Sequence, residues 1–205
     1  MGGTTGAEPV RQQRADARRN VAAILDAAVL CLTEHPDASL ADIAQAAGVG
    51  RVTLYGHFKS RAELLDAVLI RTMAEADAVL DAVDTAGEPA AALTRLVEAS
   101  WQIVHRFRSV YRAAGRELPP ERFHDSHDRV RRRLQTIIER GRRAGVFRTD
   151  VTAKWLTAAT VGLMHAAAEE SAAGRLAPHD APLFISAIVL AALTAPGAPV
   201  PAVRR

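Results

Sequence analysis

Leu40, Ile43, Ala44 and Ala47 stand at i, i+3, i+4 and i+7, which predicts a short helix over about 39–47 with one apolar stripe and a polar back. Ser39 is placed to cap it, with Asp42 near its first turn. Gly48-Val49-Gly50 supplies the backbone freedom for a sharp turn. Beyond it, Leu54 and Phe58 lie one helical turn apart and predict a second short helix that packs through them. Arg51, Thr53, Tyr55 and His57 are left to point elsewhere. Upstream, Val21, Ile24, Leu25, Ala28, Cys31 and Leu32 define the apolar face of a longer helix from about Arg14 to Glu34, ended by His35-Pro36. Downstream, Ser60 caps a helix that carries Leu64, Leu65, Val68 and Leu69 toward about Val83.

Thr85-Ala86-Gly87-Glu88-Pro89 breaks this pattern and marks the expected boundary of a second domain. Past it, Leu93, Leu96, Val97, Trp101, Val104 and Arg108 keep helical spacing until a turn near Glu117-Leu118-Pro119-Pro120. Phe123, His127, Val130, Leu134, Ile137, Ile138 and Gly141 then predict one helix to Gly145, with arginines on its outer face. Residues 155–168 and 182–193 differ, being apolar nearly all round. A helix with apolar residues on every side must be covered on every side, and the available cover is a second copy of the same surface. No segment alternates as a strand does, so the chain reads as all-α. Residues 1 to about 13, rich in Gly and Thr without periodicity, read as a mobile arm.

Composition adds a core of ordinary size, since 49% of the 205 residues are hydrophobic. The formal charge is only +3, too small to argue for nucleic acid by itself. Placement argues for it: Arg11, Arg14, Arg18 and Arg19 cluster just ahead of the paired short helices, where they suit a phosphate backbone. The lone Cys31 excludes an intrachain disulfide, reads as a core thiol and fits a reducing compartment. No hydrophobic signal core opens the chain, and the longest apolar stretch, 183–193, falls short of the ~20 residues that a membrane helix needs. A cytoplasmic protein with no membrane partner is expected.

Two short helices crossing at a glycine turn, the second offering donors, make a helix-turn-helix suited to a major groove. Here Ile43-Ala44, Ala47-Gly48-Val49 and Thr53-Leu54-Tyr55-Gly56-His57-Phe58-Lys59-Ser60-Arg61, followed by Glu63-Leu64-Leu65, resemble the TetR family of transcriptional regulators. Ile24-Leu25-Asp26-Ala27-Ala28 resembles the family's first helix, and Gly145-Val146-Phe147-Arg148-Thr149-Asp150 a weaker later signature. The sequence departs from the family at His35-Pro36, at Gly50 and at Gly56. The resemblance implies a DNA-binding domain over 14–73, with its motif at about 39–58, and a ligand-binding and dimerisation domain over 74–205. On matching positions it implies that Thr53, Tyr55, His57, Lys59 and Arg61 contact phosphates, while Arg51, Val52 and Gly56 face bases. It further implies a homodimer on a palindromic double-stranded DNA operator, joined through Trp155, Met164, Phe184, Ala187, Ile188 and Ala191, and a small-molecule effector of unknown identity.

Trp101, His105, Arg108, Tyr111, Met164, His165 and Glu169 combine apolar bulk with a few polar groups and form the candidate ligand pocket. His124 and His127, one turn apart among Asp125 and Asp128, lack the further ligands a zinc site requires, so this segment reads as a solvated helix start and no metal is expected. No phosphate loop, nucleophile elbow or Ser/His/Asp grouping is present, so no catalytic residue and no cofactor are expected. The reading is an all-α repressor. A ligand-binding or catalytic helical protein that keeps the head only as a packing element is the alternative, separated by salt-sensitive binding to a palindrome.

Overall fold

A computed structural model of the chain describes residues 7–125 and 127–203, without the side chains of residues 7–10, 13, 14 and 123–125. Among them run α1 (Ala7–Glu34), α2 (Leu40–Ala46), α3 (Arg51–His57), α4 (Arg61–Asp81), α5 (Pro89–Glu117), α6 (Pro120–Asp125), α7 (Asp128–Arg143), α8 (Ala153–Ala172) and α9 (Ala181–Leu193). The all-α reading holds, the only β-type pairing among described residues being one isolated bridge, Phe147 to Thr194. The chain forms two compact units: residues up to Arg71 with Ser109–Pro119, and Thr72–Arg108 with Pro120 onward.

In the first unit, Ile24, Ala28 and Leu32 of α1 pack with Leu40, Ile43, Leu54, Phe58, Leu64, Leu65 and Val68. Each fully buried aliphatic chain of this kind contributes about 1.5–3 kcal/mol. Val110 and Ala113, from the far end of α5, belong to the same cluster. The expected start of α1 at Arg14 is corrected, because helical backbone begins at Ala7 and takes in much of the expected arm; residues 1–6 lie outside those described. Cys31 is only partly buried, packed at the edge of this cluster, and its thiol is pushed up by burial and then by the nearby Glu34 and Asp42.

In the second unit, α7 is tied to the latter part of α4 by Arg133, which ion-pairs with Asp77 and Asp81 and is only 16% exposed. The expectation that arginines fill the outer face of α7 is therefore corrected for this residue. The expected continuous helix from Phe123 to Gly145 is also divided, with α6 ending at Asp125 and α7 opening after His127. Gly145, at φ +71°, ends α7 in a left-handed turn that only glycine adopts without strain. Val146 N–H donates to Gly141 C=O (2.9 Å) and Gly145 N–H to Arg142 C=O (3.1 Å), satisfying the last carbonyls of the helix. The turn drops Phe147 into the core against Gly141, and Arg148 N–H donates to Leu193 C=O (2.7 Å), anchoring the end of α9.

Candidate nucleic-acid interface

Ser39 and Asp42 cap α2 reciprocally: Ser39 N–H donates to Asp42 Oδ2 (2.9 Å) and Asp42 N–H to Ser39 Oγ (3.2 Å). The Ser39 hydroxyl also donates to Asp42 Oδ2 (2.7 Å), and these bonds hold the Asp42 carboxyl below its ordinary value. The helix ends in a left-handed turn at Gly48, φ +67°. Val49 N–H donates to Ala44 C=O (3.0 Å) and Gly48 N–H to Gln45 C=O (3.1 Å), so the turn closes with its carbonyls satisfied. Gly50, by contrast, sits at φ −65° as the N-cap of α3, a conformation open to any residue. Of the glycines in the expected turn, Gly48 is the one that the backbone requires.

Leu54 is fully buried and Phe58 is 6% exposed, which fixes the rotation of α3. Arg51, Val52, Tyr55, Gly56 and Lys59 then face solvent, Val52 at 89% and Tyr55 at 48%, while Thr53 and His57 are half-buried. A Cβ added at Gly56 would meet nothing within 4 Å, so this position leaves open space on the outward face. Lys59 Nζ donates to Tyr55 C=O (3.1 Å) at the end of α3. Its N–H donates to Glu63 Oε2 (2.7 Å), and Glu63 N–H donates to Ser60 Oγ (3.1 Å), capping α4. His57 also edges an open groove of about 460 Å³, walled by Ala17, Val21, Ala22 and Leu25 of α1 with Arg18 and Arg71. Arg11, Arg18 and Arg19 are exposed on α1, whereas the side chain of Arg14 lies outside those described.

Arg61 departs from its expected place. Its Nε donates to Ala38 C=O (2.9 Å) and its Nη2 to Pro36 C=O (2.7 Å), while Nη1 ion-pairs with Glu117 at the end of α5. The guanidinium is only 23% exposed and faces the loop between α1 and α2. A side chain spent on three internal partners braces the head and has little left to offer a phosphate.

The residues expected to form a ligand pocket divide. Trp101 is 1% exposed, donates through Nε1 to Pro178 C=O (3.0 Å) and stacks on His105 at 5.3 Å between ring centroids. Desolvation, then Arg108, holds the His105 imidazole below its ordinary value. Met164 is 5% exposed and His165 half-buried in the same unit, but Tyr111 belongs to the first unit and Glu169 is exposed on α8. The grouping is corrected accordingly. His127 is also corrected, because it is 8% exposed, buried where a solvated helix start was expected, and its ring meets that of His165 edge-on at 6.5 Å. His124 lies outside the described side chains, and no cluster of three or more metal-ligating side chains occurs among the described residues.

Of the expected dimer residues, Trp155 (66%), Phe184 (46%), Ile188 (54%), Ala187 and Ala191 are exposed. Met164 is corrected, since it lies on the core side of α8. Sequence periodicity missed the row that continues the face: Ala158, Ala159, Gly162 and Ala166 are exposed beside Trp155 at helical spacing. No described helix is long and apolar enough to cross a membrane.

A helix-turn-helix whose second helix presents a basic, hydroxyl-bearing outward row defines a nucleic-acid-binding regulatory protein. Residues 24–68 match the family described as bacterial regulatory proteins, tetR family. Over 77 residues the chain is 47% identical to the HTH-type transcriptional repressor LfrR of Mycolicibacterium smegmatis, covering 37% of this chain and 41% of that repressor. It is 27% identical over 161 residues to the HTH-type transcriptional regulator NfxB of Pseudomonas aeruginosa, covering 75% of this chain and 83% of that one. The crystal structure of the TetR-like regulator LfrR from Mycobacterium smegmatis in complex with proflavine superposes with a TM-score of 0.69 at 28% identity, covering 86% of this chain and 97% of that one. Residues 24–68 thus carry a TetR-family head, and over most of its length the chain is similar to a TetR-like regulator.

Proposed function

We propose that this protein is a ligand-responsive transcriptional repressor, acting in the cytoplasm as a homodimer on a palindromic operator. The carrying observation is the row that α3 turns outward once Leu54 and Phe58 are buried. Tyr55, Lys59, Thr53 and His57 supply hydroxyl, ammonium and imidazole donors to phosphates, which position the head without reading sequence. Arg51 suits a bidentate contact to guanine and Val52 a thymine methyl, and the absent side chain at Gly56 lets a groove edge approach closely.

A repressor of this kind needs its heads roughly 34–36 Å apart to enter successive grooves on one face of DNA, and a second copy supplies the second head. The exposed apolar face of Trp155, Ala158, Gly162, Phe184 and Ile188 supports that pairing, since it needs cover of its own kind. LfrR is known bound to proflavine, which supports a small-molecule effector here; a ligand acts by preferring one head spacing over another.

Fluorescence anisotropy on labelled DNA from the chain's own upstream region tests the reading. Log affinity is expected to fall linearly with log salt, because each dimer releases counterions from several phosphates. Binding that is insensitive to salt, or no better than to scrambled DNA, would overturn it.

A further inference from the structure

The basic residues of α1 are not equivalent. Arg19 is spent on an ion pair with Asp16, whereas Arg18, exposed one residue earlier, meets no acidic side chain among the described residues. Arg18 instead edges the open groove of about 460 Å³ in the first unit, which Ala17, Val21 and Leu25 wall from α1 and His57 reaches from the end of α3. Arg71 lines it from α4, where Nη1 donates to Ala22 C=O (3.3 Å) and Nη2 ion-pairs with Asp26. No acidic residue is among the described residues that line the groove. Arg11, also exposed, lies two turns before Arg18 on the same stripe of α1, about 10 Å further along the axis.

Two features of this groove select its occupant. The first is position: His57 lines it and stands between the exposed Tyr55 and Lys59, so whatever fills the groove borders the face that α3 presents. The second is chemistry. The walls are apolar and the rim is cationic, and a DNA strand alternates the matching groups, deoxyribose carbons and singly charged phosphates. An uncharged apolar ligand would leave Arg18 unmet, and a small inorganic anion would leave Val21 and Leu25 bare. Since Arg71 is already paired with Asp26, the charge that recruits a phosphate is that of Arg18.

We infer that the groove seats one strand of the operator backbone outside the bases that α3 faces, Arg18 and His57 meeting its phosphates and Val21 and Leu25 its sugars, with Arg11 continuing the track. This rests on the DNA-binding reading above and extends its footprint along the duplex. Such contacts carry no sequence information; they set the register in which Arg51 and Val52 meet their bases.

Hydroxyl-radical footprinting of the full chain on DNA from its own upstream region locates the operator, and ethylation interference on that duplex then reports which phosphates it needs. Arg18→Gln is expected to lose at least one interfering phosphate in each half-site and to flatten the slope of log affinity against log salt by about 1.8 per dimer. Its thermal midpoint is expected to stay, because the residue is exposed. Ala22→Glu sets a carboxylate in the groove from another exposed position and is expected to weaken operator binding about tenfold, or about 0.7 kcal/mol per half-site. Arg19→Gln, whose charge Asp16 already meets, is the control expected to keep the full pattern. An interference pattern and salt slope of Arg18→Gln identical to those of the unaltered chain would overturn the seat, as would loss of the same phosphate in Arg19→Gln. Should Arg18→Gln not fold, Ala22→Glu decides alone, and unweakened binding by it overturns the seat. A chain that binds its operator alike with and without these substitutions loses only the groove, and one that binds no operator loses the regulator reading as well.

Discussion

Arg61→Ala separates a phosphate contact from an internal brace. In the structure the guanidinium donates to Ala38 and Pro36 carbonyls and pairs with Glu117, at 23% exposure. Hydrogen bonds from a charged donor contribute about 1.5–3 kcal/mol each when shielded, and exposure discounts the ion pair to about 1 kcal/mol or less. Truncation is therefore expected to cost about 3–6 kcal/mol of stability, seen as a lower denaturant midpoint with an unchanged slope of free energy against denaturant. The salt dependence of DNA binding is expected to stay where it was. Were Arg61 a phosphate contact in each half of a dimer, losing two contacts would flatten the slope of log affinity against log salt by about 1.8. Denaturant titration and anisotropy at several salt concentrations give both quantities on one preparation. Unchanged stability together with a slope flatter by about 1.8 would refute the brace. Glu117→Gln gives a graded control: losing the charge but not the shape is expected to cost about 1 kcal/mol or less and to leave the salt slope alone.

Lys59→Gln, at an exposed cation on the outward row, is expected to flatten the salt slope by about 1.8 per dimer with little change in stability; a steep, unaltered slope would remove Lys59 from the interface. Ile188→Arg, on a residue 54% exposed, is expected to leave the monomer folded but abolish dimers in light scattering, whereas a folded, fully dimeric variant would move the interface elsewhere. Gly141→Ala gains about 1 kcal/mol of helix propensity, yet its Cβ would come within 2.7 Å of Phe147 Cγ and closer still to the ring edge, so thermal melting is expected to show a net loss of about 1–3 kcal/mol. His165 is held neutral in the fold at about 4 but titrates near 6.5 when unfolded, so its contribution is fully present above about pH 6.5 and is lost as pH falls toward 4. The loss approaches roughly 3 kcal/mol, and His165→Gln should flatten that part of the pH–stability curve; an identical curve for both proteins would refute the assignment.

The head was legible because its structure is local. Ser39 with Asp42, Gly48 followed by Val49, and Leu54 with Phe58 each act within a few residues, so spacing alone implies the cap, the turn and the buried face. The internal partners of Arg61 were not legible for the opposite reason: they lie 23 and 25 residues upstream and 56 downstream, and a positive charge beside a DNA-reading helix carries no sign of which way it turns. Ser109–Pro119 was unreadable in the same way. Val110 and Ala113 continue the periodicity of α5 without interruption, and periodicity reports that a face is apolar, not which unit covers it.

The same limit explains the errors at α8. Apolar residues stand on every side of that helix, so Met164, which faces the core, and Trp155, which faces outward, look alike in sequence. What distinguishes the two faces is size. The buried side carries Leu156, Met164, Ala167 and Ala168, whereas beyond Trp155 the exposed side carries Ala158, Ala159, Gly162 and Ala166. Small residues in register permit close approach of another helix, and a side chain as large as Trp155 at one end and Phe184 and Ile188 on α9 then supply most of the apolar area to be buried. Those three exposed side chains are accordingly where substitution should dissociate copies of the chain, while charge at Ala158 or Gly162 acts by holding the helices apart.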